Sequence, residues 1–184
     1  MLKLVRVKRT DPRLLHNMAN HYSQPKGFVG RNICYAILFD NLYYGGIVGG
    51  SATKHLAGRN EYFGYTKETI PLNAIVNNIF YHIEPVSGKY PTRNFAMKVL
   101  AHFQQQIIEE WESDYGDKVI GFETLVELPR KGEIYLRSGW DEIGQTIGYT
   151  CKRVAGQGTD SWTGKRVWNT VDLRPKRVFA KKIL

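Results

Sequence analysis

The stretch GEIYLRSGWDEIGQTIGY, residues 132–149, decides the fold. Its first half, EIYLRS, is long enough for one or two helical turns, and Gly139 stands where a left-handed C-terminal cap is needed. Its second half, WDEIGQTIGY, reads as a strand. A helix this short cannot bury a face of its own, so it needs a sheet to lean on. The segment upstream supplies one: KVIGFETLVE (118–127) reads as a strand and LPRKG (128–132) as a turn.

Further outward the pattern stays consistent. Phe95, Val99, Leu100, Phe103, Ile107, Ile108 and Trp111 recur at helical spacing, which predicts a long helix capped by Thr92 and ended at 114–117. LNAIVNNIFYHIE (72–84) reads as a strand ended by Pro85, with VSGKYP as a turn. NICYAILF (32–39) and LYYGGIVGG (42–50) form a predicted hairpin turned by Asp40-Asn41, with Gly45-Gly46 as a bulge or close backbone approach. GGIVGG is not read as a nucleotide loop, since no helix starts directly after it. SATKHLAGRNEYFGYTKET (51–69) reads as loop with one short helix. At the N-terminus a strand over Leu2–Val7 precedes a helix from Pro12 to about His21, started by Thr10-Asp11-Pro12.

The order is strand, helix, hairpin, strand, long helix, strand, short helix, strand. That is a mixed α/β architecture, a central twisted sheet flanked by helices. The hairpin interrupts the alternation that a doubly wound fold requires. Residues 1–150 are expected to form one catalytic domain. Residues 151–184, glycine-rich and basic with strand-like RVWNTV (166–171), are expected to be a basic, aromatic extension packed on it.

The chain has 184 residues, 42% of them hydrophobic, which suits one compact domain. No run is apolar enough to cross a membrane, and MLKLVRVKRT carries charges where a secretory leader needs apolar residues. The expectation is a soluble, cytoplasmic protein with no membrane partner. Cys34 reads as a buried thiol, and no paired Cys or His spacing suggests a metal site.

Charge narrows the partner. The formal net charge is +9, and from Cys151 onward nine cations against two acids leave +7. Trp162, Lys165, Arg166, Trp168, Arg174, Lys176, Arg177 and Phe179 interleave cations with aromatics, a pattern suited to phosphates and exposed bases. A nucleic acid is therefore the expected partner, taken as double-stranded DNA, with Lys165, Arg166, Arg174 and Lys176 on its backbone and Trp168 and Arg31 beside them.

The element order, with Tyr135, the Ser138-Gly139-Trp140 cap and the strand from Glu142 to Gly148, resembles the acetyltransferase-like GNAT superfamily. Within it, four features resemble the phage Mom DNA-modification family and Druantia-type DNA-defence proteins. These are the His21-Tyr22-Ser23 loop, the glycine-paired hairpin, the strand with Asn77-Asn78, and Glu123 in a strand ahead of the Ile-Tyr helix. The resemblance covers residues 15 to 150. It implies a transferase acting on the exocyclic amine of adenine in DNA, protecting phage DNA from restriction inside a bacterial host cell.

That reading assigns roles. Glu123, in the apolar run VIGFETLV, is the expected base, because burial raises a carboxyl pKa toward a useful range. Tyr135 is the expected acid. His21, Tyr22 and Ser23 leave a helix into a loop where side chains can converge on chemistry. Asn77 or Asn78 would read a base edge. Gly88, Thr92 and Arg93 precede the long helix and could hold a cofactor phosphate. Yet SGKYPTRNFAMK (87–98) lacks the Gln/Arg-x-x-Gly-x-Gly/Ala spacing with which GNAT enzymes hold acetyl-CoA. The cofactor stays open between acetyl-CoA, another donor and iron; iron would need His21, His55 and Glu123 to converge. Two further readings compete: an acyl-CoA-dependent N-acyltransferase on a small molecule, peptide or RNA, and a non-catalytic DNA-binding subunit.

Overall fold

A computed structural model describes residues 1–56, 58–147, 149–152 and 169–183; within 149–152 and 169–173 it defines the backbone. The elements are β1 (Leu2–Val7), α1 (Pro12–Asn20), β2 (Asn32–Phe39), β3 (Leu42–Ser51), α2 (Arg59–Phe63), β4 (Ile75–Ile83), α3 (Phe95–Tyr115), β5 (Gly121–Glu127), α4 (Glu133–Arg137), β6 (Asp141–Thr146), β7 (Tyr149–Lys152), β8 (Asn169–Leu173) and β9 (Lys176–Lys182). Seven strands form one sheet in the order β1-β2-β3-β4-β5-β9-β6, and β7 pairs with β8 in a separate ribbon. Only β4 and β5 run parallel; every other pair in the large sheet is antiparallel.

Local chemistry explains the elements. Asp11 caps α1 by accepting from the Arg13 N–H, with Pro12 in the first turn where no N–H is needed. Asp40 and Asn41 both take positive φ, the mirror-image turn that matches strand twist. The bulge lies at Tyr44, since Ile37 pairs with Gly45 but Leu38 with Tyr43.

The glycines of GGIVGG set how closely the helices approach. A Cβ on Gly46 would stand 2.6 Å from Leu14 of α1, and one on Gly49 would stand 2.2 Å from Ile107 of α3. Residues three apart on a strand face opposite sides. The two helices therefore seat on opposite faces of β3. On the α3 side Tyr35, Ile47, Val76, Val99, Phe103, Ile107 and Trp111 form the main core; on the α1 side Leu14, Met18, Phe28, Val48 and Phe80 form a smaller one.

Two expectations are corrected. Thr92 does not cap α3: the helix begins at Phe95 behind Asn94, whose backbone is left-handed and whose side chain makes no cap bond. The last described stretch of the basic segment is also more than an extension packed on the domain. Strand β9 lies between β5 and β6, and its Val178, Phe179 and Ala180 are fully buried. Its lysines and arginines bracket a three-residue apolar centre, so a charge count over the segment hides a core strand. Lys165, Arg166 and Trp168 lie outside the described residues.

Candidate active site

The site begins as a fault in the sheet. β4 and β5 pair only from Ile75–Asn77 to Gly121–Glu123, although both strands run on, to Ile83 and Glu127. The cause is visible on the other edge of β4. Val48 pairs with Phe80 but Gly49 with Asn78, so Ile79 is an inserted residue. A bulge bends and twists its strand. Room for it exists because the residue facing Ile79 is Gly50, where a Cβ would lie 2.6 Å from the Ile79 Cδ1. Beyond the bulge the two parallel strands part, and a cavity of about 300 Å³ opens between them.

Asn78 stands at the fork. Its Nδ2 donates to the carbonyls of Val48 and Phe80 at 3.2 and 3.0 Å, which fixes the amide on both sides of the bulge. Its Oδ1 accepts from the Tyr135 hydroxyl at 2.7 Å, and its backbone carbonyl accepts from Thr124 Oγ1 at 2.9 Å. Tyr135 comes from α4, one turn long and pinned by Gly139 at positive φ, with its ring stacked on Phe179 and edge-on to Trp140. Burial raises the Tyr135 pKa and keeps the phenol protonated, against a hydrogen bond with Thr124 that lowers it.

The opposite wall comes from the loop after α1. His21 is 8% exposed and lies against Tyr22, Phe80 and His82. Burial first, and the neighbouring His82 second, push its pKa down to about 4, so the ring is neutral near pH 7. The Ser23 N–H points at its Nδ1 from 3.3 Å, and Ser23 Oγ lies 2.8 Å from the same atom, so the proton of the neutral ring belongs on Nε2. The rim adds Glu127, Arg130, Glu133 and Lys176.

The fold thus gathers His21, Tyr22, Ser23, Asn78, Tyr135 and Lys176 around one cavity. It places Glu123 and Asn77 elsewhere. Glu123 has no exposed surface; it accepts the Thr53 N–H at 2.6 Å and pairs with Arg59 at 3.2 Å. Asn77 bonds the Thr53 hydroxyl at 3.1 Å. Burial raises the Glu123 pKa while Thr53 and Arg59 oppose it. Every near partner of this carboxylate is structural: it fastens the loop after β3 to the sheet. Gly88 sits at the tip of a tight turn bridged by Val86 and Lys89, and nothing lies within 4 Å of its would-be Cβ. Thr92 accepts from Lys98 Nζ at 3.2 Å beside exposed Arg93, at the start of α3. Arg31 pairs with Asp117 and lies over the Tyr115 ring at 5.0 Å, outside the cavity lining. Arg174 pairs with Glu127 at 3.7 Å. Among the described residues, no three His, Cys, Asp or Glu side chains come together as a metal site.

Sequence reasoning missed Thr124 and Arg130. Thr124 follows Glu123 directly, and neighbours on a strand face opposite ways. Glu123 faces Thr53 and Arg59, and Thr124 lines the cavity on the other face of β5. Arg130 lies in LPRKG, which reads as a plain turn until the turn is seen to overhang the cavity.

The seven-stranded mixed sheet flanked by helices matches the fold of GNAT acetyltransferases. The chain is similar over its whole length to a Bacillus subtilis acetyltransferase solved in complex with CoA, at 9% identity and a TM-score of 0.59, covering 100% of both chains. It is similar to an IAA acetyltransferase from Bacillus cereus at 14% identity and a TM-score of 0.54, again covering 100% of both. It is also similar to the ribosomal-protein-S18-alanine N-acetyltransferase of Escherichia coli at 13% identity and a TM-score of 0.53, covering 100% of this chain and 94% of that one. No protein-family model and no curated protein matches the sequence.

Proposed function

We propose that this protein is an acyl-CoA-dependent N-acyltransferase. The observation that carries the reading is the split between β4 and β5 with the Tyr135 hydroxyl held at its fork by Asn78. The edges of Ile79–Ile83 and Leu125–Glu127 that face each other are unpaired as strands, and an extended amide chain such as the pantetheine arm fits between them. The start of α3 suits the phosphates: Asn94 leaves the first-turn amides without a side-chain cap, and Thr92, Arg93 and Lys98 lie beside them. The degenerate glycine spacing there is offset by these side chains, since backbone amides at a helix start attract anions without a glycine loop.

An acyl thioester supplies an activated carbonyl. The acceptor must arrive as a neutral amine, and an apolar wall of His21 and Phe80 favours that form over the ammonium. Neutral His21, with its ring N–H toward the Tyr81 backbone, forms an uncharged wall beside the acceptor. As the carbon–nitrogen bond forms and the carbon–sulfur bond breaks, the departing thiolate needs a proton. The Tyr135 hydroxyl, protonated and 2.7 Å from its Asn78 acceptor, supplies it and is recharged from the proton the amine releases.

The experiment is thiol release from acetyl-CoA across a panel of amines, peptides and duplex DNA, with product mass confirmed. Thiol release dependent on one acceptor class supports the reading; hydrolysis alone or no release contradicts it. A second reading, transfer to the exocyclic amine of adenine in DNA, has one structural observation in its favour. Lys176 and Arg130 line the cavity rim, where a nucleic-acid phosphate would lie if the base entered. Its finer likeness to the Mom family rests on sequence motifs. Nucleoside mass spectrometry of DNA from expressing cells tests it: a modified deoxyadenosine favours the DNA substrate, and unmodified DNA leaves the small-molecule and peptide acceptors.

A further inference from the structure

The rim of the cavity carries the guanidinium of Arg130, which has no carboxylate partner among the described residues. Arg130 projects from the turn between β5 and α4, with Glu127 and Glu133 three residues to either side. Among the described residues, neither those glutamates nor any other lies within ion-pair distance of it. Its Cζ lies instead 3.5 Å from the centroid of the Tyr22 ring. Tyr22 is 38% exposed and packs tilted against His21 with ring centroids 4.1 Å apart, and His21 packs tilted against Phe80 at 4.9 Å. The contact ties the loop after α1 to the turn before α4, which are the two lips of the cavity. A cation resting on a half-exposed ring gains little, about 0.5–1 kcal/mol at such sites. A carboxylate or phosphate offers a guanidinium a bidentate, charge-assisted pair that is stronger. Lys176 on β9 is a second cation on the rim without a carboxylate partner among the described residues, whereas Glu127 beside it is taken by Arg174 at 3.7 Å.

Resting on the acyltransferase reading, we propose that the acceptor is an amine that also carries an anionic group, carboxylate or phosphate. Arg130 leaves Tyr22 to bind that group, with Lys176 as the second cation. Binding opens the lips, so the anion is both the handle and the key to entry. Arg130 is thus a specificity-determining residue, and Tyr22 is its resting place.

The test uses the full-length protein and three amines that differ in one group: ethanolamine, its phosphate ester phosphoethanolamine, and glycine. The wild type should acylate at least one anionic amine with a KM about 10–100-fold below that of ethanolamine, the worth of a charge-assisted hydrogen-bonded pair. Preference between the phosphate and the carboxylate identifies the source. Arg130→Ala should raise that KM by the same factor and so erase the preference over ethanolamine, and Arg130→Lys should recover part of it. A second readout needs no catalysis. Adding inorganic phosphate or acetate should shift the Tyr22 ring resonances in the wild type and not in Arg130→Ala. Equal use of all three amines, or an Arg130→Ala variant that keeps the preference, overturns the proposal and leaves the acyltransferase reading standing. If none of the three amines is acylated, the acceptor proposal falls, and a Tyr22 ring that still answers to the anion keeps the anion site alone. A silent ring overturns the anion site.

Discussion

The hydroxyl of Tyr135 donates to Oδ1 of Asn78 across 2.7 Å, joining the one-turn helix α4 to the point where β4 parts from β5. The same asparagine amide holds the two carbonyls flanking the bulge. One side chain therefore fixes both the opening of the cavity and the position of the Tyr135 hydroxyl.

Tyr135→Phe keeps the ring stacked on Phe179 and removes the proton donor. The variant should fold with wild-type stability to within about 1–2 kcal/mol, the worth of one buried hydrogen bond. Its kcat should fall by roughly 100-fold or more, as loss of a general acid does, with KM little changed. Steady-state kinetics beside a melting curve separate the two effects.

Glu123→Gln tests the opposite assignment. Arg59 is 1% exposed and would lose its counter-charge. Breaking a buried pair in this way costs about 3–5 kcal/mol. The melting temperature should drop by roughly 10 °C, while the folded fraction, assayed well below that temperature, keeps its kcat. A stable but inactive variant would return Glu123 to the chemistry.

Acid should destabilise the protein through His21. Its folded pKa, about 4, lies below the ordinary value of 6.5. Between these values the unfolded chain binds a proton that the folded chain refuses. Stability at this group is therefore complete above pH 6.5 and declines as pH falls toward 4, by up to about 1.4 kcal/mol per pH unit. Urea titrations at pH 7 and pH 5 should show a smaller loss in His21→Gln than in the wild type. Equal losses would mean that the ring is not buried neutral.

Gly49→Ala places a methyl where Ile107, Val76 and Phe103 already touch. Overpacking of this kind costs about 1–3 kcal/mol and should lower the melting temperature by several degrees. Gly88→Ala is not a neutral control, because Gly88 has positive φ, but its penalty is conformational and should stay near 1 kcal/mol.

Much of the fold can be read directly from the residues. The Asp40-Asn41 hairpin, the spacing from Phe95 to Trp111, the Asp11-Pro12 helix start and the Gly139 cap each state a local rule, and the structure follows it. What could not be read is long-range. The insertion of β9 depends on pairing with β5, some fifty residues earlier, and its central Val178-Phe179-Ala180 is too short to stand out among cations. The site divides in the same way. Tyr135 and the His21-Tyr22-Ser23 loop are marked by local context. The choice between Asn77 and Asn78, or Glu123 and Thr124, turns on which face of a strand lines a gap that a bulge at Ile79 creates. No periodicity in the sequence marks that bulge.

In the proposed acyltransferase, coenzyme A enters the gap between β4 and β5. Backbone amide resonances recorded while coenzyme A is titrated into the full-length protein test it most directly. Saturable shifts are expected at Ile79–Ile83, at Leu125–Glu127 and in the first turn of α3, with the edge strand β1 unmoved. Absence of saturable shifts, or shifts confined to residues away from the gap, would contradict it.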